Sequence, residues 1–196
     1  MYNLMQHALG DGWQQLPPAL QAHYLAGPDG VAVDQGHMDV GYPRFMQPAL
    51  TLLKWMGALV PRRGTQVATT VVRRMRGERL LWQRTLTFED GQVVRFNSAW
   101  ERGANGSVIE FVNPWLGLEM KPFVEGPLLR YEGLRFVLRV GGRLLTLPEW
   151  LLGHTTIVEE AVDDAHFRMD FRMTHPVVGE VFRYAGVFAA HVSDSR

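Results

Sequence analysis

The hydrophobic pattern of this chain changes from a helical to a twofold period near residue 65 and keeps that period almost to its end. Segments 65–75, 79–88, 92–100 and 107–112 are rich in β-branched and aromatic residues, with short turns containing Gly or Asp between them. Such a succession predicts antiparallel strands. A sheet that long coils or closes, because open edges invite pairing with other chains. We therefore expect an α+β fold, mainly β, with a coiled antiparallel meander sheet or barrel of about nine or ten strands.

Alternation within the later strands predicts which side chains face inward. It is clearest in segment 166–174, where apolar and polar residues follow one another strictly. The set expected inside is Phe167, Met169, Phe171 and Met173, and the set expected outside is Arg168, Asp170, Arg172 and Thr174. The same pattern places Phe182, Tyr184 and Phe188 inside. A tight hairpin is predicted around Gly141-Gly142, since glycine tolerates the positive φ angles of a two-residue turn.

The first third of the chain is predicted to be mostly helical. The segment LPPALQAHYL indicates a short helix, because proline suits a first helical turn. Segment 44–60 predicts a longer helix packed on the sheet, with an apolar stripe of Phe45, Ala49, Leu52, Leu53 and Met56. Between them, residues 30–41 alternate weakly and predict an edge strand. We expect one domain over residues 1–196, helical over about 1–64 and antiparallel β over about 65–192.

Composition excludes several function classes. The chain has 20 basic and 20 acidic residues, so it has no global field for nucleic acid or an anionic membrane. It has no cysteine, which excludes disulfides and thiolate chemistry. No signal-peptide pattern or membrane-length apolar run is present, which predicts a cytoplasmic protein without a transmembrane segment. The seven histidines lack metal-binding spacing and there is no phosphate-binding loop, so we expect no metal and no cofactor.

Several short motifs, taken in order, resemble one bacterial family. They are LWQRTLTF, EGPLLRYEGLRF, LPEWL and the ending HFRMDFRMTHPVVGEVFRYAGVF. Together they are similar to domain of unknown function 4166, from about LPPALQAHY to YAGVF. Members of that family occur alone or at the end of a nucleotide-binding reductase-like chain, and no catalytic residues are established for them. The resemblance thus implies fold and extent rather than chemistry. No dinucleotide fingerprint precedes the domain here, which favours a stand-alone copy.

Trp82 and Arg84 are the first candidate site. They share one face of a predicted strand with Leu86 and Phe88, because side chains two apart point the same way. If that face is inward, the guanidinium needs a partner, and Glu101, Glu110 and Glu125 are the carboxylates in nearby segments. A structural ion pair is one interpretation. The other is that Arg84 holds the anionic head of an otherwise apolar ligand.

A second candidate site is His175, which precedes Pro176 at a predicted strand end. It is either a turn histidine that caps backbone groups or a partner of Tyr184 in acid–base chemistry. The second interpretation requires both side chains to meet Glu159 or Glu160 at one mouth of the barrel.

The large apolar interior predicts either a plain core or a ligand cavity, since the chain has nine methionines and ten phenylalanines and methionine adapts to irregular shapes. Our leading hypothesis is a binding module that encloses a small apolar or amphipathic ligand, with or without an anionic head. The alternatives are an enzyme that acts on such a ligand through residues at the mouth, and an interaction domain for a reductase-like partner. The candidate ligand-binding residues are Trp82, Arg84, Glu125, Tyr131, Phe167, Phe171, His175 and Tyr184.

Overall fold

The computed structural model describes residues 3–25, 30–55, 60–148 and 152–192. These residues form three α-helices, Leu4–Leu9 (α1), Pro18–Tyr24 (α2) and Gln47–Trp55 (α3), and two 3₁₀ helices, Gly10–Gln15 and Arg44–Met46. Among them, no helix is both long enough and apolar enough to cross a lipid bilayer. Helix α2 confirms the short helix predicted from its two prolines.

Eleven strands make up most of the described chain. They are Val31–Gly41 (β1), Gly64–Arg76 (β2), Arg79–Thr87 (β3), Val93–Arg102 (β4), Val108–Phe111 (β5), Leu116–Glu125 (β6), Leu128–Val140 (β7), Arg143–Leu147 (β8), His154–Ala161 (β9), His166–His175 (β10) and Gly179–Val192 (β11). Every pairing between them is antiparallel. The chain is thus mainly β, as its twofold period predicts.

The sheet closes into a barrel because β6 pairs with β5 on one side and with β7 on the other. The ring runs from β1 through β7 in sequence order, continues through β9, β10 and β11, and returns to β1. It contains ten strands. Strand β8 lies outside the ring as a hairpin partner of the last part of β7. Closure leaves the ring strands without the open edges that a flat sheet of this length would have.

The local strand predictions are confirmed. Residues 79–112 contain strands β3, β4 and β5 and no helix. The hairpin from β7 to β8 turns on Gly141 and Gly142, whose φ angles of 54° and 79° are positive as a two-residue turn requires.

Strand β10 follows the predicted alternation. Phe167, Phe171 and Met173 are buried and Met169 packs partly buried against the core, whereas Arg168 and Arg172 are exposed. Asp170 is only half-buried, because it accepts hydrogen bonds from Arg172 and Arg183 on the outer face of the sheet.

The prediction that residues 30–41 form an edge strand is wrong. Strand β1 pairs with β2 along one side and with β11 along the other. Its alternation is weak because its polar residue Asp34 points inward and is fully buried. A chain cannot close into a ring unless an early strand meets a late one, and β1 makes that contact with β11.

Helix α3 and the 3₁₀ turn before it occupy most of the predicted longer helix, whose residues 56–59 lie outside the described residues. The predicted phase of its apolar stripe is wrong, since Phe45 and Leu52 are 60% and 66% exposed while Leu50, outside the stripe, is fully buried. Phe45, Ala49 and Leu52 border a cavity at the end of the barrel, while Leu50 packs in the core. The side chains of Leu53 and Met56 lie outside the description.

The N-terminal segment closes the other end of the barrel. Helix α2 packs against β9, β10 and β11, while α1 packs against β4 and β6 on the opposite side of the ring. Four residues of α2 are buried: Ala19, Leu20, His23 and Tyr24. Helix α2 therefore supplies polar side chains, His23 and Tyr24, to the interior of a β-barrel.

Candidate functional site

A cavity of about 670 Å³ lies at the end of the barrel beside α3. Apart from Gly117, Tyr184, Glu110 and His175, its walls are aliphatic, aromatic or methionine side chains. They include Phe45, Leu50 and Leu52 from the α3 region and Leu118, Phe136, Phe171, Met173 and Phe182 from the strands. A cavity of this size and character is typical of sites for small apolar molecules.

A second, smaller cavity of about 50 Å³ lies deeper in the barrel. It shares Val60, Phe96, Glu110 and Tyr184 with the large cavity, so the two cavities adjoin. Its volume admits only a few atoms. Unlike the large cavity, it is bordered by several polar side chains: His23, Tyr24, Asp34, Arg84, Glu110 and Glu159.

Arg84 borders the small cavity and forms an ion pair with Glu110, which borders both cavities. Its Nη2 atom is 3.1 Å from Glu110 Oε1, and its Nη1 donates to Ser98 Oγ at 2.9 Å. Ser98 in turn donates to Glu110 at 2.6 Å. The guanidinium carbon lies 4.9 Å from the ring centre of Trp82. Glu110 is one of the three carboxylates predicted as partners, so a structural ion pair is present and Arg84 also borders the small cavity.

His23, Asp34 and Arg73 form a second buried polar group, of which His23 and Asp34 border the small cavity. Arg73 makes two hydrogen bonds to Asp34, of 2.6 and 2.9 Å, and His23 Nδ1 lies 2.6 Å from the same carboxylate. Burial, and then the charge of Arg73, lowers the pKa of His23 from 6.5 to about 4. Burial alone would raise the pKa of Asp34, but His23 and Arg73 outweigh it and hold that pKa below its usual value. The group therefore carries a neutral imidazole beside a complete ion pair.

Glu159 is a third buried carboxyl group, and its hydrogen-bond partner is a tyrosine rather than a cation. Tyr24 Oη lies 2.9 and 2.8 Å from the two carboxyl oxygens, and Tyr131 donates to Tyr24. Burial raises the pKa of Glu159 from 4.5 to about 8. The raised pKa favours the protonated form of Glu159 at neutral pH.

The structure brings most of the predicted ligand-binding residues into the interior. Trp82, Arg84, Phe167 and Tyr184 border the small cavity, and Phe171, His175 and Tyr184 border the large one. Tyr131 is buried beneath the small cavity and reaches it through Tyr24. Glu125 does not join them. It lies at the end of β6, where its side chain is 61% exposed and pairs with Arg130.

The groups proposed for acid–base chemistry at one mouth do not meet. His175 borders only the large cavity and Glu159 only the small one, while Tyr184 borders both. Glu160 is exposed on the outer face, where it pairs with Arg168. Within the described residues, no three His, Asp or Glu side chains are arranged to hold a metal ion.

Sequence reasoning missed His23, Asp34, Arg73 and Trp100 as site residues, and it placed Glu159 at a mouth. A signal was present in the alternation of the strands. Glu159 is in phase with Thr155 and Ile157, and all three are buried. Arg73 is likewise in phase with Val67 and Val71. A charged residue in phase with the apolar face of a strand indicates an interior polar group.

The fold and the site together define a closed antiparallel β-barrel. It has an apolar cavity at one end and a buried polar cluster at the inner end of that cavity. The chain belongs to the family described as "Domain of unknown function (DUF4166)", whose model matches residues 16–188. This confirms the resemblance seen in the sequence motifs.

No curated protein matches the chain. Among solved structures, it is similar to one titled "REP1-NXSQ fatty acid transporter", with 10% identity and a TM-score of 0.31. That alignment covers 86% of this chain and 97% of the other.

Proposed function

We propose that this barrel binds a small apolar or amphipathic molecule in its large cavity. The observation that carries the proposal is the cavity of about 670 Å³ itself, with its aliphatic, aromatic and methionine walls. A chain that used its interior only as a core would fill such a volume, since cores pack to near-crystalline density and empty apolar space is destabilising.

The arrangement around the cavity also supports binding. Phe45 and Leu52 remain exposed beside the cavity although burial would stabilise them, which suits a surface that an apolar ligand covers. The opposite end is closed by the N-terminal helices. A ligand therefore enters beside α3 and directs its inner end toward Arg84, Glu110 and the small cavity.

Native mass spectrometry of the purified protein is the direct test. We expect a bound apolar molecule to survive gentle ionisation as an added mass. In parallel, the apolar dye Nile red should bind saturably, at one molecule per chain, with a rise in fluorescence. Absence of both an added mass and saturable dye binding would contradict the proposal.

The two alternatives stay predictions. The enzyme hypothesis is supported by Glu159, a carboxyl group beside the small cavity whose pKa is raised to about 8. This group lies deep in the barrel rather than at its mouth. The cavity favours ligand binding over an interaction domain for a reductase-like partner.

A further inference from the structure

Within the described parts of the chain, two buried hydrogen-bond donors beside the small cavity have no acceptor. They are the indole N–H groups of Trp82 and Trp100, whose residues are 4% and 3% exposed. Neither Nε1 atom has a hydrogen-bond partner among the residues that the structure describes. Buried tryptophan N–H groups usually find a partner, because an unpaired donor in an apolar interior is unfavourable.

The two indoles belong to one place in the fold. Their ring centres are 5.0 Å apart, on the neighbouring strands β3 and β4, and both residues border the small cavity. The two unpaired donors therefore belong to the wall of one cavity. The volume, about 50 Å³, suits a group of a few atoms.

The charges around this cavity indicate that the acceptor is neutral. Arg73 is already bound to Asp34 through two hydrogen bonds, and Arg84 is bound to Glu110. An added carboxylate would therefore meet no unmatched cation, and it would stand near the carboxylates of Asp34 and Glu110. Removing an anion from water without a counter-charge is strongly unfavourable.

From these observations we infer that the small cavity receives a neutral carbonyl oxygen, carried at the inner end of an amphipathic ligand whose apolar part fills the large cavity. The carbonyl accepts from the indole N–H groups of Trp82 and Trp100. This inference rests on the proposed function and specifies its ligand class as a neutral ketone, quinone, aldehyde or ester with an apolar tail.

Competition against bound Nile red distinguishes the head groups. The probes are methyl undecyl ketone, the matched alkene in which a methylene group replaces the carbonyl oxygen, and laurate. We expect the ketone to bind about fivefold to thirtyfold more tightly than the alkene, the range that one to two buried hydrogen bonds supply, and more tightly than laurate. Equal binding of ketone and alkene overturns the inference, and so does tightest binding by laurate.

Removal of each donor tests the named residues. Trp82→Phe and Trp100→Phe should each reduce the preference for the ketone over the alkene, whereas Trp13→Phe should not. Trp13 is a fitting control because it is equally buried but borders neither cavity. An unchanged preference in both variants would show that the carbonyl does not bind to these two indoles, against the inference.

A measurement on the unaltered protein covers the case in which these variants do not fold. In ¹H–¹⁵N spectra, the indole N–H signals of Trp82 and Trp100 should move downfield when the ketone binds and stay in place with the alkene. Signals that respond equally to both probes contradict the inference and leave the proposed function intact. Failure of Nile red and of every probe to bind contradicts the proposed function itself.

Discussion

Arg84 on β3 and Glu110 on β5 form an ion pair across β4, with Nη2 and Oε1 3.1 Å apart. Their side chains are only 12% and 8% exposed, and Ser98 on the intervening strand bonds to both. The pair is a scaffold element because it joins β3 to β5. It also forms part of the cavity walls, since Arg84 borders the small cavity and Glu110 borders both. Its contribution to stability can be separated from its contribution to binding.

Arg84→Leu should lower the free energy of unfolding by about 3–5 kcal/mol, because it leaves the Glu110 carboxylate buried without a cation. Arg84→Leu combined with Glu110→Gln should recover a large part of that loss. Urea denaturation measures both. Arg168→Leu is the control, since its pair with Glu160 is exposed and should change stability by less than about 1 kcal/mol. Full stability of the single variant would show that Glu110 does not need its partner.

Protonation of Glu159 predicts a loss of stability with rising pH. The pKa of Glu159 is about 8 in the folded chain, against an ordinary value of 4.5 that applies to the unfolded chain. Between pH 4.5 and 8 the folded chain therefore holds a proton that the unfolded chain lacks. His23, with a pKa of about 4 against 6.5, acts in the opposite sense below pH 6.5. The two effects cancel between about pH 4.5 and 6.5. Above that, Glu159 alone should reduce stability by roughly 2 kcal/mol up to pH 8.

Thermal unfolding at pH 6.5 and 8 checks this window. The wild-type Tm should fall by roughly 4–8 °C. In Glu159→Gln, which cannot ionise, the Glu159 contribution should vanish and the two Tm values should approach each other. An equal fall in the variant would assign the pH dependence to other groups.

Gly36 and Gly186 are predicted to be intolerant of alanine. A Cβ atom at Gly36 would lie 2.0 Å from the backbone oxygen of Val187, and one at Gly186 would lie 2.4 Å from that of His37. Either substitution should force β1 away from β11 and lower the free energy of unfolding by about 1–3 kcal/mol or more. Gly41→Ala, also on β1, meets nothing within 4 Å and should be tolerated. Similar stability of all three variants would contradict the close approach of the two strands.

Filling the large cavity should abolish binding without unfolding the barrel. Met173→Trp adds bulk to the wall formed by β10 and should weaken Nile red binding at least tenfold, because dye and indole compete for the same volume. Leu144→Trp adds a similar ring to β8, which borders neither cavity, and should leave dye binding unchanged. Dye titration with circular dichroism as a folding check measures both. Unaltered binding by folded Met173→Trp would locate the dye elsewhere.

Local features of the fold could be predicted from the sequence because they depend on neighbours along the chain. Helix α2 follows from its prolines, the β7–β8 hairpin from Gly141-Gly142, and the burial of Phe167 and Phe171 from strict alternation. Each of these features is indicated by a pattern within a few residues of the sequence. The family could also be predicted from the order of its motifs in the sequence, and the family model that matches residues 16–188 confirms it.

The buried polar cluster could not be predicted in the same way. Tyr24 meets Glu159 across 135 positions, and Arg73 meets Asp34 across 39. These contacts exist only because β1 pairs with both β2 and β11 and because α2 enters the closed end of the ring. Glu125 shows the converse, since a conspicuous motif residue lies exposed at the end of β6.

The sequence by itself determined which segments are strands, which faces of them are apolar, and to which family the chain belongs. Only the tertiary structure decided that β6 and β7 close the ring, that part of α3 borders a cavity, and that three carboxyl groups border the small cavity. The reason is physical. Twofold periodicity specifies the side on which a residue lies, whereas closure, register and the volume left between distant side chains depend on all the strands at once.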